Sequence, residues 1–307
     1  MKDQYQRDID YLRISVTDSC NLRCFYCMDD SNKIKTELTD KQIVDLVKRF
    51  AATGIKKIRI TGGEPLVRKN IINLISDIHT IDGIEEIVVT TNGLLLPGRI
   101  NEFKQAGVKR FNISLNSLQK EKNDWITKSN WDLDYHALIK ELIENELFPI
   151  KLNVVLLKGI NTNEMNDYIE LANQYDIEIR FIELMEIGEL NIDYKKYFIS
   201  KDNILQEHKG LHKVSETNTS ENYKFENNKG IIGFINPVSK KFCDKCNRVR
   251  LTSDGFIKPC LHKNKEIDIT VGDQNIIYDS IFNKPKEHNL SDDLGERSSR
   301  SMNKIGG

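Results

Sequence analysis

The sequence predicts a parallel α/β fold, either a closed barrel or an open arc, followed by a less regular extension. Two observations predict it. Short segments rich in Ile and Val alternate with amphipathic helical segments as far as residue 185, and the alternation fades beyond that point. The 307 residues suffice for one large α/β domain with an extension. We therefore expect a core at residues 1–190 and a C-terminal extension at residues 191–307.

Six segments have the length and the Ile and Val content of buried strands. Because helical segments separate them, they are expected to pair in parallel. They lie at residues 11–17, 55–61, 84–91, 110–115, 150–157 and 177–184.

The clearest predicted helix begins at Thr39, which forms a capping-box pattern with Gln42, and ends at Gly54. Apolar residues at helical spacing form its buried stripe. The stripe consists of Ile43, Val44, Leu46, Val47 and Phe50. Four further helices are expected near residues 69–80, 97–106, 135–147 and 163–175.

The chain beyond residue 186 is polar, rich in Asn, Lys and Glu, and only weakly periodic. Residues 230–239 have the pattern of one strand. The composition of the tail from residue 284 predicts a mobile segment without a core of its own.

The bulk composition is that of an ordinary globular protein, with 39% hydrophobic and 30% charged residues. A net charge of −1 provides no general attraction for nucleic acid. The sequence shows no secretory signal and no apolar run long enough for a membrane span. We therefore expect a cytoplasmic protein, in which clustered cysteines indicate metal binding or catalysis rather than disulfides.

Three of the six cysteines lie just beyond the first predicted strand, as Cys20, Cys24 and Cys27. Functional groups of parallel α/β sheets collect at the carboxyl ends of the strands. Thiolates at such short spacings are typical Fe–S ligands. A zinc site would need a fourth ligand nearby, and residues 1–78 contain no His.

The spacing C-x3-C-x2-C, with Tyr26 before the last cysteine, resembles that of the radical S-adenosylmethionine enzymes. The resemblance implies that the three cysteines hold one 4Fe–4S cluster, whose fourth iron binds S-adenosylmethionine. One electron from the cluster then cleaves this cofactor to a 5′-deoxyadenosyl radical. Short motifs end the next predicted strands, at residues 62–65 (GGEP), 90–93 (TTNG) and 114–116 (SLN). By the same resemblance, S-adenosylmethionine contacts Tyr26, Gly63, Ser114 and Met185.

A second triplet, C-x2-C-x13-C, consists of Cys243, Cys246 and Cys260. His262 follows closely, so the spacing alone leaves a Cys3His zinc site open. Together with the first triplet, the sequence CNRVR at 246–250 resembles the GTP 3′,8-cyclases, which begin molybdenum cofactor biosynthesis. Members of that family end in Gly-Gly, as this chain does, and their tail reaches the active site.

This resemblance implies a partial (βα)6 TIM-like barrel with a C-terminal α+β extension that carries a second 4Fe–4S cluster. The radical would remove the ribose 3′ hydrogen of GTP, and C3′ would attack guanine C8. The product would be (8S)-3′,8-cyclo-7,8-dihydroguanosine 5′-triphosphate. Expected partners are GTP, an electron donor such as flavodoxin or ferredoxin, and a downstream cyclic pyranopterin monophosphate synthase, with the enzyme a monomer or a homodimer.

The chain has no P-loop or Rossmann glycine motif, so side-chain cations must hold a triphosphate. Cations inside apolar strands, such as Arg13, Arg59 and Arg180, are unusual because burying an unpaired charge is costly. The resemblance implies catalytic roles for the first triplet, Arg248 and Arg250. It also implies that GTP contacts Arg13, Arg59, Thr91, Lys151, Arg248 and Arg250.

Some positions depart from the family pattern, namely Ser19, the sequence Met28-Asp29-Asp30, and Asn116 in place of Asp. One alternative is another two-cluster radical enzyme, such as a peptide-modifying maturase, although such enzymes usually carry more cysteines. Another is a zinc-bearing structural or nucleic-acid-binding module. Its expected basic face does not fit a net charge of −1.

Overall fold

A computed structural model describes residues 1–27, 36–188, 192–290 and 296–306. Met28-Asp29-Asp30 and Gly307 therefore lie outside the described residues. Six strands in register form the parallel arc that the sequence predicts. They are β1 (Tyr11–Ser15), β2 (Lys57–Thr61), β3 (Glu86–Thr91), β4 (Val108–Ser114), β5 (Lys151–Leu156) and β6 (Glu178–Glu183).

Helices cover the outer face of this arc, and most of them bury an apolar stripe. The capping box of the first helix is present, because Thr39 accepts from the backbone N–H of Gln42 at 3.3 Å and the Gln42 side chain accepts from Thr39 N at 2.9 Å. The helices of the first part of the chain are α1 (Asp40–Ala51), α2 (Ile71–His79), α3 (Ile100–Gln105), α4 (Lys120–Thr127), α5 (Tyr135–Glu144) and α6 (Met165–Tyr175).

The extension continues the same sheet at both edges instead of forming a sheet of its own. Its helices are α7 (Tyr194–Tyr197), α8 (Lys201–Glu207) and α9 (Gln274–Phe282). Its strands are β7 (His212–Glu216), β8 (Glu221–Lys224), β9 (Ile231–Ile235), β10 (Arg248–Leu251), β11 (Phe256–Lys258) and β12 (Ile267–Asp268).

Two of these strands are parallel neighbours of the core: β9 pairs with β6, and β10 pairs with β1. Residues 236–247 connect them, from the carboxyl end of β9 to the amino end of β10. The boundary near residue 190 stays a prediction.

The register of the strands stacks the charged side chains in layers. Arg13 lies opposite both Arg59 of β2 and Arg250 of β10, while Tyr11 lies opposite Lys57 and Arg248. Two of the cations that the sequence predicts inside apolar strands, Arg13 and Arg59, therefore lie in one row with Arg250 across three neighbouring strands.

The expectation of a mobile tail is wrong for its described residues. Lys284, His288 and Ile305 are all buried, and Ile305 is completely so. The composition misled because small and polar side chains, including Ser301 and Asn303, fill the space at the mouth of the arc. None of the described helices has the length and apolar character needed to cross a membrane.

Candidate active site

All six cysteines line one cavity of about 640 Å³ inside the arc. The first triplet follows the carboxyl end of β1. Cys243 and Cys246 precede the amino end of β10, and Cys260 follows β11, which is antiparallel to β10. The two triplets therefore lie at opposite ends of the β1–β10 pair, separated by strands of roughly 16 Å. Every predicted binding residue also lines this cavity, namely Tyr26, Gly63, Ser114, Met185, Arg13, Arg59, Thr91, Lys151, Arg180, Arg248 and Arg250.

Backbone hydrogen bonds hold the loop of the first triplet on two sides. From β2, Gly63 N donates to Thr17 O at 2.7 Å. From the loop itself, Arg23 N donates to Thr127 O at the end of α4, at 2.8 Å. A Cβ at Gly63 would lie 2.4 Å from the carbonyl oxygen of Ser19, so only glycine permits this approach. Gly63 thus positions the cysteine loop in addition to its predicted contact with the cofactor.

The thiols of the first triplet are close enough to disfavour one another's ionisation. Burial raises the pKa of Cys20 to about 11, and burial with the neighbouring Cys20 raises that of Cys24 to about 12. Burial also holds the pKa of Cys27 well above its usual range. Such thiols become thiolates only when a metal takes the place of the proton.

The second triplet lies in a more positive environment. Burial alone would raise the pKa of Cys246, but the charges of Lys284 and Arg248 outweigh it and lower that pKa to about 7. Arg7 holds the same region together, since its Nη1 donates to the carbonyl oxygens of Cys243 at 2.7 Å and Lys286 at 2.8 Å. The sequence reasoning missed Arg7 and Lys284, because their roles depend on contacts across 236 and 38 positions of the chain.

His262 is also buried beside the second triplet, with its ring centroid 4.1 Å from that of His288. Burial lowers the pKa of His262 to about 2, so its imidazole is neutral. His288 was not predicted from the sequence.

The cations that line the cavity fall into two groups. Lys151 and Arg180 both pair with Glu178, and Arg110 pairs with Glu86 at 2.8 Å. Within the described part of the chain, Arg59, Arg248 and Arg250 have no carboxylate partner. The aromatic ring of Tyr11 lies between the first two of these, 5.3 Å from the Arg59 guanidinium and 6.0 Å from that of Arg248.

The buried arginines of the cavity are held at an electrostatic cost. Burial lowers the pKa of Arg59 to about 10, and burial with the charge of Arg248 lowers that of Arg250 to about 9. Burial and Arg250 also lower the pKa of Arg13 well below its usual value. This arrangement favours a bound polyanion, because an anion would relieve the repulsion among the guanidinium groups.

Comparisons with known proteins agree with this geometry. Residues 14–172 match the model of the radical SAM superfamily, and residues 177–290 match the Molybdenum Cofactor Synthesis C model. A GTP 3′,8-cyclase of Alkaliphilus oremlandii is 45% identical over the whole of both chains, and one of Clostridium botulinum is 43% identical over the whole of both chains.

The chain belongs to the GTP 3′,8-cyclase family of radical SAM enzymes.

Solved structures show the same fold at low sequence identity. Streptococcus suis SuiB bound to S-adenosylmethionine has a TM-score of 0.62 and 15% identity, covering 88% of this chain and 66% of that one. HydG, a maturase of the FeFe-hydrogenase, has a TM-score of 0.52 and 16% identity, covering 64% of this chain and 48% of that one. Since both are remote, the likeness shows the radical SAM fold alone.

In this member of the GTP 3′,8-cyclase family, the buried Glu64 connects the GGEP motif to the TTNG motif. Its carboxylate accepts from Thr91 Oγ1 at 2.6 Å and from Asn92 N at 2.7 Å, and burial raises its pKa to about 7. The Asn92 side chain continues to Asn21 beside the first cysteine, with Nδ2 donating to Oδ1 at 2.7 Å. The GGEP and TTNG motifs were noted in the sequence, but their mutual contact was not.

The departure at Asn116 has a structural role. Its Nδ2 donates to the hydroxyl of Tyr26 at 2.8 Å, and its Oδ1 accepts from Val155 N at 3.1 Å. An amide therefore links the aromatic residue of the cysteine loop to β5. Nothing in the structure explains Ser19.

Glu183, at the end of β6, anchors the start of the connection between β9 and β10. Its Oε2 accepts from the backbone N–H groups of Val238 at 3.1 Å and Ser239 at 2.9 Å, and Oε1 accepts from the Ser239 hydroxyl. This connection carries Cys243 and Cys246, so Glu183 fixes the second triplet relative to the barrel.

The C-terminal tail reaches the row of arginines at Arg250. Arg250 Nη1 donates to the carbonyl oxygens of Ile305, at 3.0 Å, and Gly306. Gly306 has φ +70°, and a Cβ there would lie 2.2 Å from Thr61 Oγ1. Its close approach therefore requires glycine.

Proposed function

We propose that this protein converts GTP to (8S)-3′,8-cyclo-7,8-dihydroguanosine 5′-triphosphate, with two 4Fe–4S clusters and S-adenosylmethionine as cofactors. One observation supports the proposal most directly: a single cavity contains both cysteine triplets, and between them lie arginines that have no carboxylate partner among the described residues. The relatives named GTP 3′,8-cyclase, which match over their full length, support the same reaction.

The donor set fits two clusters. Six free cysteines line the cavity in two groups of three, and three thiolates per cubane leave one iron of each for a small molecule. Among the described residues, no three His, Cys, Asp or Glu side chains converge on the position of a single metal ion. A cubane cluster does not require such convergence, because each thiolate binds a different iron. When bound, the first cluster supplies the electron that cleaves S-adenosylmethionine to a 5′-deoxyadenosyl radical.

Cys20, Cys24 and Cys27 would hold the first cluster, and Cys243, Cys246 and Cys260 the second, where the guanine binds. Tyr26, Gly63, Ser114 and Met185 would contact S-adenosylmethionine at the carboxyl ends of the strands, where all four line the cavity.

The arginines that line the cavity would hold the triphosphate. Arg59, Arg248 and Arg250 carry positive charge without carboxylate partners among the described residues, so their interaction with phosphate is not in competition with an internal ion pair. Arg13, Thr91 and Lys151 would add contacts from neighbouring strands. The catalytic contribution of Arg248 and Arg250 is therefore placement of the ribose between the two triplets.

In the reaction the C3′–H bond of the ribose would break with transfer of the hydrogen atom to the 5′-deoxyadenosyl radical, and C3′ would bond to guanine C8. One electron from the external electron donor and one proton would then reduce the resulting nucleobase radical to the 7,8-dihydro product. The residues of the chain hold the reacting atoms together and keep water away. The wider setting is proposed with the function: a cytoplasmic enzyme, monomer or homodimer, reduced by flavodoxin or ferredoxin. It would deliver its product to a cyclic pyranopterin monophosphate synthase.

Anaerobic reconstitution with iron and sulfide tests the proposal. We expect about eight irons per chain, four for each cubane cluster, and 5′-deoxyadenosine formation that depends on GTP and not on ATP. Zinc at the second triplet, or 5′-deoxyadenosine formation that is indifferent to GTP, would contradict it.

A further inference from the structure

An exposed tryptophan lies directly over the loop of the first triplet. Trp125, on α4, is 54% exposed, which is unusual for so large an apolar side chain. Its ring packs on Phe25, with centroids 5.0 Å apart, and Phe25 also packs on Tyr197 of α7 at 5.4 Å. We call these three aromatic residues the Trp125 face.

The face connects solvent to the cavity. Phe25 follows Cys24 in the chain and contacts Tyr26 at 5.7 Å between ring centroids, and Tyr26 lines the cavity. Backbone bonds fix this arrangement, since Phe25 N donates to Ile126 O at 3.1 Å. The exposed edge of Trp125 is therefore one side-chain contact away from the cysteine loop.

Cations border the Trp125 face. Among the described residues, four exposed lysines that form no ion pair lie on its elements or next to them, namely Lys128, Lys158, Lys195 and Lys196. Lys128 caps the end of α4, Lys158 N donates to Tyr197 O at 2.8 Å, and Lys196 lies 5.2 Å from the Tyr197 ring. Of the carboxylates on the same elements, Asp124 pairs with Lys120 at 2.9 Å, Asp193 caps α7, and Glu121 is exposed in the first turn of α4. The local charge is positive although the whole chain has a net charge of −1.

An apolar aromatic centre with a charged rim is the composition of a protein-docking surface, in which tryptophan is a frequent anchor. The basic rim selects an acidic partner and steers its approach. The lysines near the second triplet are less suited to this, because Lys240 and Lys245 are engaged by Glu221 and Glu216.

We propose that the Trp125 face docks an acidic one-electron carrier protein, which reduces the cluster of the first triplet through this surface. The proposal rests on the proposed function, because reductive cleavage of S-adenosylmethionine needs an electron from outside the chain. In the step, the reduced carrier loses one electron and the cluster gains it. No atom is transferred, and the oxidised carrier dissociates.

The test compares the double variant Lys128→Glu/Lys196→Glu with a matched control, Lys41→Glu/Lys48→Glu, which changes two exposed lysines on α1. Reduced flavodoxin is the carrier, and dithionite is the small reductant that needs no docking. Binding of flavodoxin is measured by biolayer interferometry at several salt concentrations, and cluster reduction is followed by the loss of its visible absorbance.

We expect the double variant to bind flavodoxin at least tenfold more weakly, to lose most of the salt dependence of binding, and to be reduced at least tenfold more slowly by flavodoxin. Reduction by dithionite and the behaviour of the control should match the wild type. A second variant, Trp125→Ala, should weaken flavodoxin binding without changing reduction by dithionite.

Unchanged flavodoxin binding in both variants would overturn the proposal, as would equal slowing with both reductants. A wild-type dimer that the variants convert to monomers would also overturn it, because the face would then be covered by a second copy of the chain. If the proposed function itself fails, wild-type protein reduced by dithionite yields no GTP-dependent product, whatever the flavodoxin result.

Discussion

Arg13 of β1 and Arg250 of β10 lie directly opposite each other on adjacent parallel strands. One of these strands belongs to the barrel core, and the other lies between Cys246 and Cys260 of the second triplet, more than 230 residues later. Their pairing joins the two triplets in one cavity and places buried, mutually repelling guanidinium groups between them. A bound polyanion would reduce this repulsion.

Replacing Arg59 should separate stability from binding. Its pKa is lowered by burial, and no described carboxylate pairs with it, so Arg59→Met should stabilise the ligand-free protein by about 1 kcal/mol or more. Loss of a charged phosphate contact should weaken GTP binding about tenfold to a hundredfold. Thermal unfolding and calorimetric titration measure the two effects.

Arg110→Met is the matched control for Arg59→Met. Arg110 lines the same cavity but pairs with Glu86 at 2.8 Å, so its removal leaves a partly buried carboxylate without that partner and should lower the melting temperature. A fall in melting temperature for Arg59→Met, or equal effects of the two variants, would contradict the division of the cations into two groups.

Glu183→Ala should release the second triplet. The variant removes the acceptor for Val238 N and Ser239 N, which hold the connection that leads to Cys243. We expect reconstituted iron to fall by about four per chain, the content of one cubane. Iron analysis and absorbance spectra measure this loss, and Glu183→Gln, which keeps one acceptor oxygen, should lose less. Full iron content in Glu183→Ala would contradict the role of Glu183 in holding the second triplet.

Gly63→Ala should affect the other cluster. The added Cβ would lie 2.4 Å from Ser19 O and displace the loop that carries Cys20. The expected result is loss of the first cluster and of S-adenosylmethionine binding, measured by equilibrium dialysis, while the second cluster remains. In Gly83→Ala the new Cβ meets no atom within 4 Å, so both clusters should persist. Normal cofactor binding by Gly63→Ala would contradict the close packing.

Lys284 should control the reactivity of Cys246 in the metal-free protein. Its charge opposes the effect of burial and helps to lower the Cys246 pKa to about 7, so at pH 7.5 much of this thiol is ionised. In Lys284→Met the pKa rises and the thiolate fraction falls, so alkylation of Cys246 by iodoacetamide at pH 7.5 should slow severalfold. Peptide mass spectrometry follows the reaction, with Lys241→Met as the control. An unchanged alkylation rate would show that Lys284 does not act on this thiol.

The sequence predicted the six core strands to within two residues at either end, because each is a short run with buried apolar residues and helical segments separate these runs. All the cations to which the sequence analysis assigned a role line the cavity. They could be recognised because burying a charge inside an apolar strand is costly. Both signals depend only on residues that are close in the sequence, so they can be recognised without the structure.

Features that depend on contacts between residues distant in the chain were predicted less well. Helix α4 was missed because its apolar periodicity is weak and it ends at Lys128 in a left-handed conformation rather than at a glycine. Strands β7 and β8 were missed because ion pairs, such as Lys201 with Glu221 at 2.6 Å, stabilise them where other strands have an apolar face. The insertion of β10 beside β1 has no local signal at all.

The central claim is that the cavity holds S-adenosylmethionine at the first triplet and the ribose of GTP next to it. GTP carrying deuterium at C3′ tests it directly, in anaerobic turnover of the reconstituted enzyme. The account predicts that the deuterium appears in 5′-deoxyadenosine and that the product contains the new C3′–C8 bond. Unlabelled 5′-deoxyadenosine formed alongside GTP that retains its deuterium would contradict it.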